Sequence, residues 1–322
     1  MRILITGATG CVGSYLLRGL LQKTGHEVVA LIRHPSRLAK DLYGHPRLQI
    51  LQGDLCDIDR IGPFMTGIDT AFLVATSWGG PDSVTVTCDA NLALTDLLAK
   101  AGCARVFYFA TASVLGRDGA LLDAARDHGT EYIRAKHALT LGMEVRASSL
   151  RVTGLFPTLV LGGDPAGRTA PLSHLGRLLP QVLRWIGLVR FIDAEARFHL
   201  IHAADIASVC LHLLDHPERY ATTEASAERM VLGNPATDFD TLIRQACRHL
   251  GRKRRRIATL RPRYAAPVIW VFRIRLSPWD AYCMHHPDQS YAAAINPASL
   301  GLPVDMPDLA AGLKLIGIAA KG

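Results

Sequence analysis

The sequence predicts an α/β fold, a doubly wound parallel sheet followed by a smaller C-terminal region. Three observations predict it. Short apolar runs recur through the first half of the chain, helical or loop segments separate them, and the rhythm breaks into a turn-rich stretch after Gly162. Strands that alternate with helices build a parallel sheet covered on both faces, because each crossover lays its apolar stripe against the sheet.

The runs are "RILIT" from Arg2, "EVVALI" from Glu27, "LQILQG" from Leu48, "TAFLVA" from Thr70, "RVFYFA" from Arg105 and "LRVTGLF" from Leu150. Each has the length and apolar continuity of a strand buried on both faces. Residues 81–102 open on Pro81 and Asp82 and close at Gly102, the start and stop signals of a helix. "GGDPAGRTAP" at 162–171 reads as the exit from the first region. Beyond it come a helix over 202–214, a strand "RMVLG", a helix "DFDTLIRQACRHL" and a less regular tail.

At 322 residues, with 49% apolar and 20% charged residues, the chain has the composition of a soluble globular protein. It holds no uninterrupted apolar run of bilayer-spanning length. A first strand beginning at Arg2 leaves no room for a secretory leader, so a cytoplasmic location is expected. The seven cysteines are scattered and never spaced C-x-x-C, which suits reduced, structural thiols. The histidine pairs His199/His202 and His285/His286 have no cysteine or carboxylate at finger-like spacing, so no metal is expected. Nine of the 36 Lys and Arg residues fall within 251–278, among them the run Arg252 to Arg256, against no acid. That run could face nucleic acid, anionic lipid or an anionic substrate, or be a solvated turn; no nucleic-acid motif accompanies it and no nucleic-acid partner is expected.

The first strand runs into "TGATGCVG", where Gly7, Gly10 and Gly13, with Thr9, Cys11 and Val12 between them, stand directly before a helical pattern. Glycine allows the tight turn and close approach of a pyrophosphate, and the helix N-terminus supplies free N–H groups. Strand, turn, helix and following strand together are the context of a Rossmann-type dinucleotide site. Residues 1–162 are therefore expected to form the NAD(P)-binding domain. Residues 163–322 are then mainly a substrate-binding region, with some segments returning to the first domain. Where an NAD site carries an acid for the ribose hydroxyls, this chain reads "LIRHPSR". Arg33, with Arg37 as a second cation, can pair with a 2′-phosphate, so NADP(H) is favoured. NAD(H) stays open, because Arg33 also reads as a surface residue at a strand end.

"EYIRAKHAL" puts Tyr132 and Lys136 at i and i+4, on one helical face. An adjacent ammonium and a cationic nicotinamide would favour the phenolate of Tyr132 and fit it for general acid–base work.

These pieces resemble the extended short-chain dehydrogenase/reductase family, which includes NAD-dependent epimerase/dehydratases and related reductases. The resemblance runs nearly end to end, through "TGATGCVG", "GDL" at 53–55, "LVAT" at 73–76, "DANLALTDLLAKAGCARVFYFATASVLG", "YIRAK", "RVTGLFPTLVLGG" and "HLIHAADIASV". It implies that Asp54 contacts adenine, with Leu55 beside it, and that Ala75, Thr76 and Pro157 border the cofactor. Thr111 takes the place of the catalytic hydroxyl, with Ser113 as its substitute and a substrate-side neighbour. Lys136 would bind the nicotinamide ribose and lower the tyrosine pKa. Asn91 would support the site from its helix, a capping or surface role staying open.

Sugar-nucleotide members of the family read R-P-T-N-V-Y-G where this chain reads "FPTLVLG". Phe156, Leu159 and Leu161 replace Arg, Asn and Tyr, which implies an apolar substrate pocket; "LLPQVLRWIGLVRF" and "AAPVIWVFRIRL" fall in the expected substrate region, but most of their residues read better as ordinary core packing. The leading expectation is an NADP-dependent reductase or dehydrogenase acting on a carbonyl or alcohol carbon of a largely apolar small molecule, with Tyr132 as general acid/base. A nucleotide-sugar epimerase or dehydratase is the alternative, in which the basic run 252–256 would meet a diphosphate. A non-catalytic NADP-sensing protein is a third, disfavoured by the intact Thr111, Tyr132 and Lys136. A homodimer is compatible with the sequence, which leaves the oligomeric state open.

Overall fold

The apolar runs become parallel strands: β1 (Arg2–Thr6), β2 (Glu27–Ile32), β3 (Leu48–Gln52), β4 (Thr70–Leu73), β5 (Arg105–Phe109) and β6 (Arg151–Pro157). In this computed structural model, which describes residues 1–80, 82–220, 227–260 and 277–321, they join an eight-stranded sheet. Its order is Ala294–Ile295, Glu228–Leu232, β6, β5, β4, β1, β2, β3. All its pairings are parallel. Strand order reverses between β1 and β4, which opens a crevice at the carboxyl ends of those strands.

Helices alternate with the strands: α1 (Cys11–Lys23), α2 (Ile58–Ile61), α3 (Ala90–Lys100), α4 (Asp123–Asp127) and α5 (Glu131–Arg146), followed by α6 (His174–Arg184) in the second region. The two-residue period of a strand sorts the core. Leu4, Val29, Ala71, Val106 and Tyr108 face α3 and α5 through Leu94, Leu98, Leu139 and Met143. Ile3, Ile5, Val28, Phe72 and Phe107 face Leu16, Leu17 and Leu20 of α1 and Ile206, Val209 and Leu213 of the helix Ala203–Asp215. That helix and the strands Glu228–Leu232 and Ala294–Ile295 come from beyond residue 162 yet lie on the sheet.

The segment expected as one helix over 81–102 is more irregular. Pro81 lies outside the described residues; a π-helical turn spans Thr85–Asp89 and α3 proper begins at Ala90. The wide turn stands where side chains compete for the backbone: Asn91 Nδ2 reaches the carbonyls of Val86 at 3.0 Å and Thr87 at 3.1 Å.

A third cluster holds the second region together, around Leu161, Ile186, Ala246, Cys247, Met306, Leu309 and Leu313. The basic run is built into this region: Arg254 meets Asp240 at 2.9 Å and lies 4.0 Å from Asp193, and Arg256 meets Asp193 at 3.2 Å. The backbone N–H groups of Arg255 and Ile257 donate to the carbonyls of Arg190 and Phe191. Arg261, Arg263, Arg273, Arg275 and the segment "AAPVIWVFRIRL" lie outside the described residues. Among the described residues no helix is long and apolar enough to cross a membrane.

Candidate active site

The glycine turn is set by close approach. Gly7 has φ +67° and would press a Cβ to 2.7 Å from the Ala75 nitrogen; a Cβ on Gly13 would stand 2.1 Å from the Gly7 carbonyl oxygen. Gly10 donates to that same carbonyl at 2.9 Å and caps α1 without a side-chain bond, and no acid stands in the first turn. Among the described residues no hydrogen bond engages the N–H groups of Cys11, Val12 or Gly13. Free donors at the positive end of a 13-residue helix fit a dinucleotide pyrophosphate. Cys11 contributes no thiolate, because burial pushes its thiol up to about 12.

The turn after β4 lies against the glycines. Ala75 donates its N–H to Thr6 Oγ1 at 3.2 Å, and Asn91 Nδ2 reaches the Ala75 carbonyl at 3.3 Å. Asn91 is therefore a buried clamp, neither cap nor surface residue. Thr87 completes the fastening: its hydroxyl lies 3.1 Å from that of Thr76 and accepts the Ser77 N–H at 3.0 Å. Thr87 stood within a helical pattern, and nothing in its spacing marked it.

The adenosine end is more open. Arg33, at the end of β2, is 57% exposed and lies 3.7 Å from the Asp54 carboxylate, itself 46% exposed at the end of β3. Arg37 is exposed in the turn that follows, and Leu55 is buried in the core beneath Asp54.

Thr130 caps α5 by accepting the Ile133 N–H, and Arg146 ties the helix to Asp96 of α3 by two bonds of 2.7 Å. The first two turns of α5 carry Tyr132 and Lys136 to the end of β5. Thr111 leads into the short turn Ala112–Val114, with its hydroxyl 3.4 Å from that of Ser113 and on the side of Tyr132, whose phenol it acts on. Lys136, 2% exposed, donates from Nζ to the Phe109 carbonyl at 2.5 Å and stands 5.9 Å from the Tyr132 ring centroid.

The electrostatics correct one expectation. Burial pushes the Tyr132 phenol above its ordinary value, the Thr111 hydrogen bond pulling the other way, and burial draws Lys136 down to about 7. The lysine in the protein alone does not favour the phenolate: its head is turned to a strand carbonyl, and desolvation penalises both charged forms.

The apolar pocket expected from Phe156, Leu159 and Leu161 is also corrected, because the three do not share a surface. Phe156 faces inward from β6 and is fully buried, edge-on to Tyr108. Leu161 is buried in the third cluster beside Gly312. Leu159 alone is exposed. Pro157, between them, ends β6 in the core.

A different aromatic residue, Trp78, covers Tyr132 instead. The Trp78 indole stacks on its ring at 4.6 Å and on His174 of α6 at 5.0 Å. From the second region, Tyr291 donates its hydroxyl to the Ala112 carbonyl at 2.8 Å. Its N–H donates to His199 Nε2 at 2.9 Å, so His199 Nδ1 carries the proton given to the Asn234 carbonyl. His202 caps the Ala203–Asp215 helix, which accounts for the other histidine of that pair.

The comparisons fit this geometry. A family model described as the NAD-dependent epimerase/dehydratase family matches residues 3–231. The chain belongs to that family. It is similar to a 3 beta-hydroxysteroid dehydrogenase/Delta 5→4-isomerase of Mycobacterium tuberculosis, 43% identical over 74 residues that cover 23% of this chain and 19% of that one. It is also similar to the 2-alkyl-3-oxoalkanoate reductase of Stenotrophomonas maltophilia, 30% identical over 204 residues, 55% of this chain and 57% of the relative. The chain thus spans less than two thirds of these curated relatives. The crystal structure of gox2253 matches with a TM-score of 0.71 at 20% identity over 99% of both chains. The dTDP-glucose 4,6-dehydratase DesIV of Streptomyces venezuelae, solved with NAD bound, matches with a TM-score of 0.65 at 18% identity over 97% of this chain and 94% of that one. At those identities the likeness establishes the fold, the parallel sheet with its flanking helices.

Proposed function

We propose that this family member is an NADP-dependent reductase or dehydrogenase for a largely apolar ketone or its alcohol. The observation that carries the reading is the Thr111–Tyr132 hydroxyl pair at the mouth of the crevice, with a phenol that burial keeps protonated at neutral pH. A protonated phenol suits proton donation to a carbonyl oxygen, the reductive direction. Thr111 holds that oxygen beside Tyr132 by a second hydrogen bond, and Ser113 stands next in reach. A reduced nicotinamide, when bound, supplies the hydride that goes to the carbonyl carbon. Gly10 and the free N–H groups of Cys11, Val12 and Gly13 would hold its pyrophosphate, with Thr9 in the same turn; Ala75, Thr76 and Pro157 would border it, and Asp54 with Leu55 would receive the adenine. Lys136 would turn toward the ribose hydroxyls.

Arg33 supports NADP. Its pairing with Asp54 is solvent-exposed and worth little, so the guanidinium is available to a 2′-phosphate, with Arg37 adjacent. An apolar substrate is supported by the relatives named for steroid and alkanoate chemistry. It is supported too by the engagement of the buried Arg254 with Asp240, which takes that cation away from a sugar diphosphate. The test measures cofactor affinity and turnover together. NADPH binds more tightly than NADH, Arg33→Asp narrows or reverses that preference, and NADPH is oxidised with a hydrophobic ketone while UDP and dTDP sugars at millimolar concentration do not bind. Equal affinity for the two cofactors overturns the NADP assignment; tight, saturable binding of a nucleotide sugar overturns the substrate assignment.

A further inference from the structure

Trp78 is 59% exposed, yet its indole makes face-to-face contacts with rings from both regions of the chain, Tyr132 at an interplanar angle of 10° and His174 at 9°. It is followed by Gly79 and Gly80, whose φ values of +117° and +87° suit glycine alone and around which a Cβ would meet open space. The ring therefore stands over the tyrosine on a backbone that other residues do not crowd.

His174 opens α6, and Leu178, Val182 and Trp185 follow it at spacings of four, four and three, which places them along one side of the helix. They are 41%, 52% and 64% exposed. The helix already has a partnered apolar side, Leu175, Leu179 and Leu183 against the third cluster. An amphipathic helix with one buried face carries polar residues elsewhere. Among the described residues a second apolar strip is left uncovered here, and it starts at His174, which stacks on the Trp78 ring that lies over Tyr132. Uncovered apolar strips mark protein or membrane contacts or ligand grooves, and the link of this one through His174 to the ring over Tyr132 favours a ligand groove.

We propose that Trp78 and the Leu178–Val182–Trp185 side of α6 form the surface that receives the body of the substrate, and that the substrate is an elongated apolar ketone or alcohol with a planar group next to the reacting carbon. The planar group stacks on the Trp78 indole, in the manner His174 does here, and brings the carbonyl to the Tyr132 hydroxyl. The remaining apolar length lies along α6. This rests on the reductase reading of Tyr132 and specifies its substrate class. It also moves the apolar surface from the 156–161 stretch, where two of three side chains are in the core, to residues from two distant segments.

The test uses 2-octanone, 2-tridecanone and 2-acetonaphthone with NADPH and the full chain, and reads both turnover and, by thermal shift with NADP present, binding without turnover. Wild-type kcat/KM rises from the short ketone to the long and the bicyclic ones. In Trp78→Ala the ratio of kcat/KM for 2-acetonaphthone over 2-octanone falls about tenfold, mainly through KM, and Trp78→Phe restores most of it. In the Leu178→Glu/Val182→Glu variant, both sites being exposed, the ratio for 2-tridecanone over 2-octanone falls by about the same factor. If the wild type binds 2-tridecanone and the Glu variant loses that binding while no ketone is turned over, the reductase reading fails and the surface stands. Unchanged ratios and unchanged binding in the variants overturn the surface, as does a wild type that binds none of the three ketones.

Discussion

Lys136 and Thr111 lie at the carboxyl end of β5, the lysine bonded to a strand carbonyl and the threonine to its own turn, with Asn91 and Thr87 clamping the next loop. Leu178, Val182 and Trp185, on the helix whose His174 stacks on Trp78, touch solvent and follow a strand of only three residues. The first region can hold a reacting oxygen to a fraction of an ångström because its polar groups are fixed by backbone inside a packed core. The second is held by a smaller core and by Arg254 between Asp193 and Asp240. On the proposed reading, chemistry and selectivity would rest on differently packed parts, so selectivity could change without disturbing proton transfer.

That separation can be broken by experiment. The largest effect is expected for Tyr132→Phe, which removes only the phenolic oxygen: turnover of a confirmed substrate falls about 10³-fold while NADPH affinity changes less than twofold. Thr111→Ala costs about 10²-fold in kcat. Full activity in Tyr132→Phe assigns the proton to another group and dissolves the contrast on the sheet side.

Arg254→Ala probes the other side. It leaves Asp193 and Asp240 with Arg256 and Arg244 as their remaining partners, and should cost about 2 kcal/mol in urea unfolding with NADPH affinity unchanged. A parallel loss of NADPH affinity would show that the two regions act as one.

The last effect is a slope with pH rather than a loss at one pH. Lys136 loses its proton at about 7 in the folded protein and at 10.5 as an ordinary lysine. Between those values the unfolded chain binds more protons, so this residue's contribution makes stability rise with pH. Lys136→Met removes the cost of burying the charge, so its stability advantage over wild type should be greatest below pH 7 and shrink toward pH 10 in ligand-free urea titrations. A constant gap across that window contradicts the burial of a titrating ammonium.

The sequence by itself determined the sheet, the glycine turn and the shared helical face of Tyr132 and Lys136, because these follow from local patterns. Six apolar runs carry the period that sends Ile3 and Ile5 to one face and Leu4 to the other; Gly7 and Gly13 are required by contacts within a few residues of their own turn and the adjacent strand end; Tyr132 and Lys136 share a face by helical spacing alone. What surrounds Tyr132 was decided only in three dimensions. An apolar residue at a strand end reads the same whether it faces a pocket or a core, and packing sent Phe156 and Leu161 into two different cores. Arg254 and Arg256 looked like free cations until the fold set Asp193 and Asp240 beside them. Trp78, His174 and Tyr291 carry no periodic signal, and their meeting at Tyr132 and Ala112 depends on contacts between residues far apart in the chain, which no local pattern encodes.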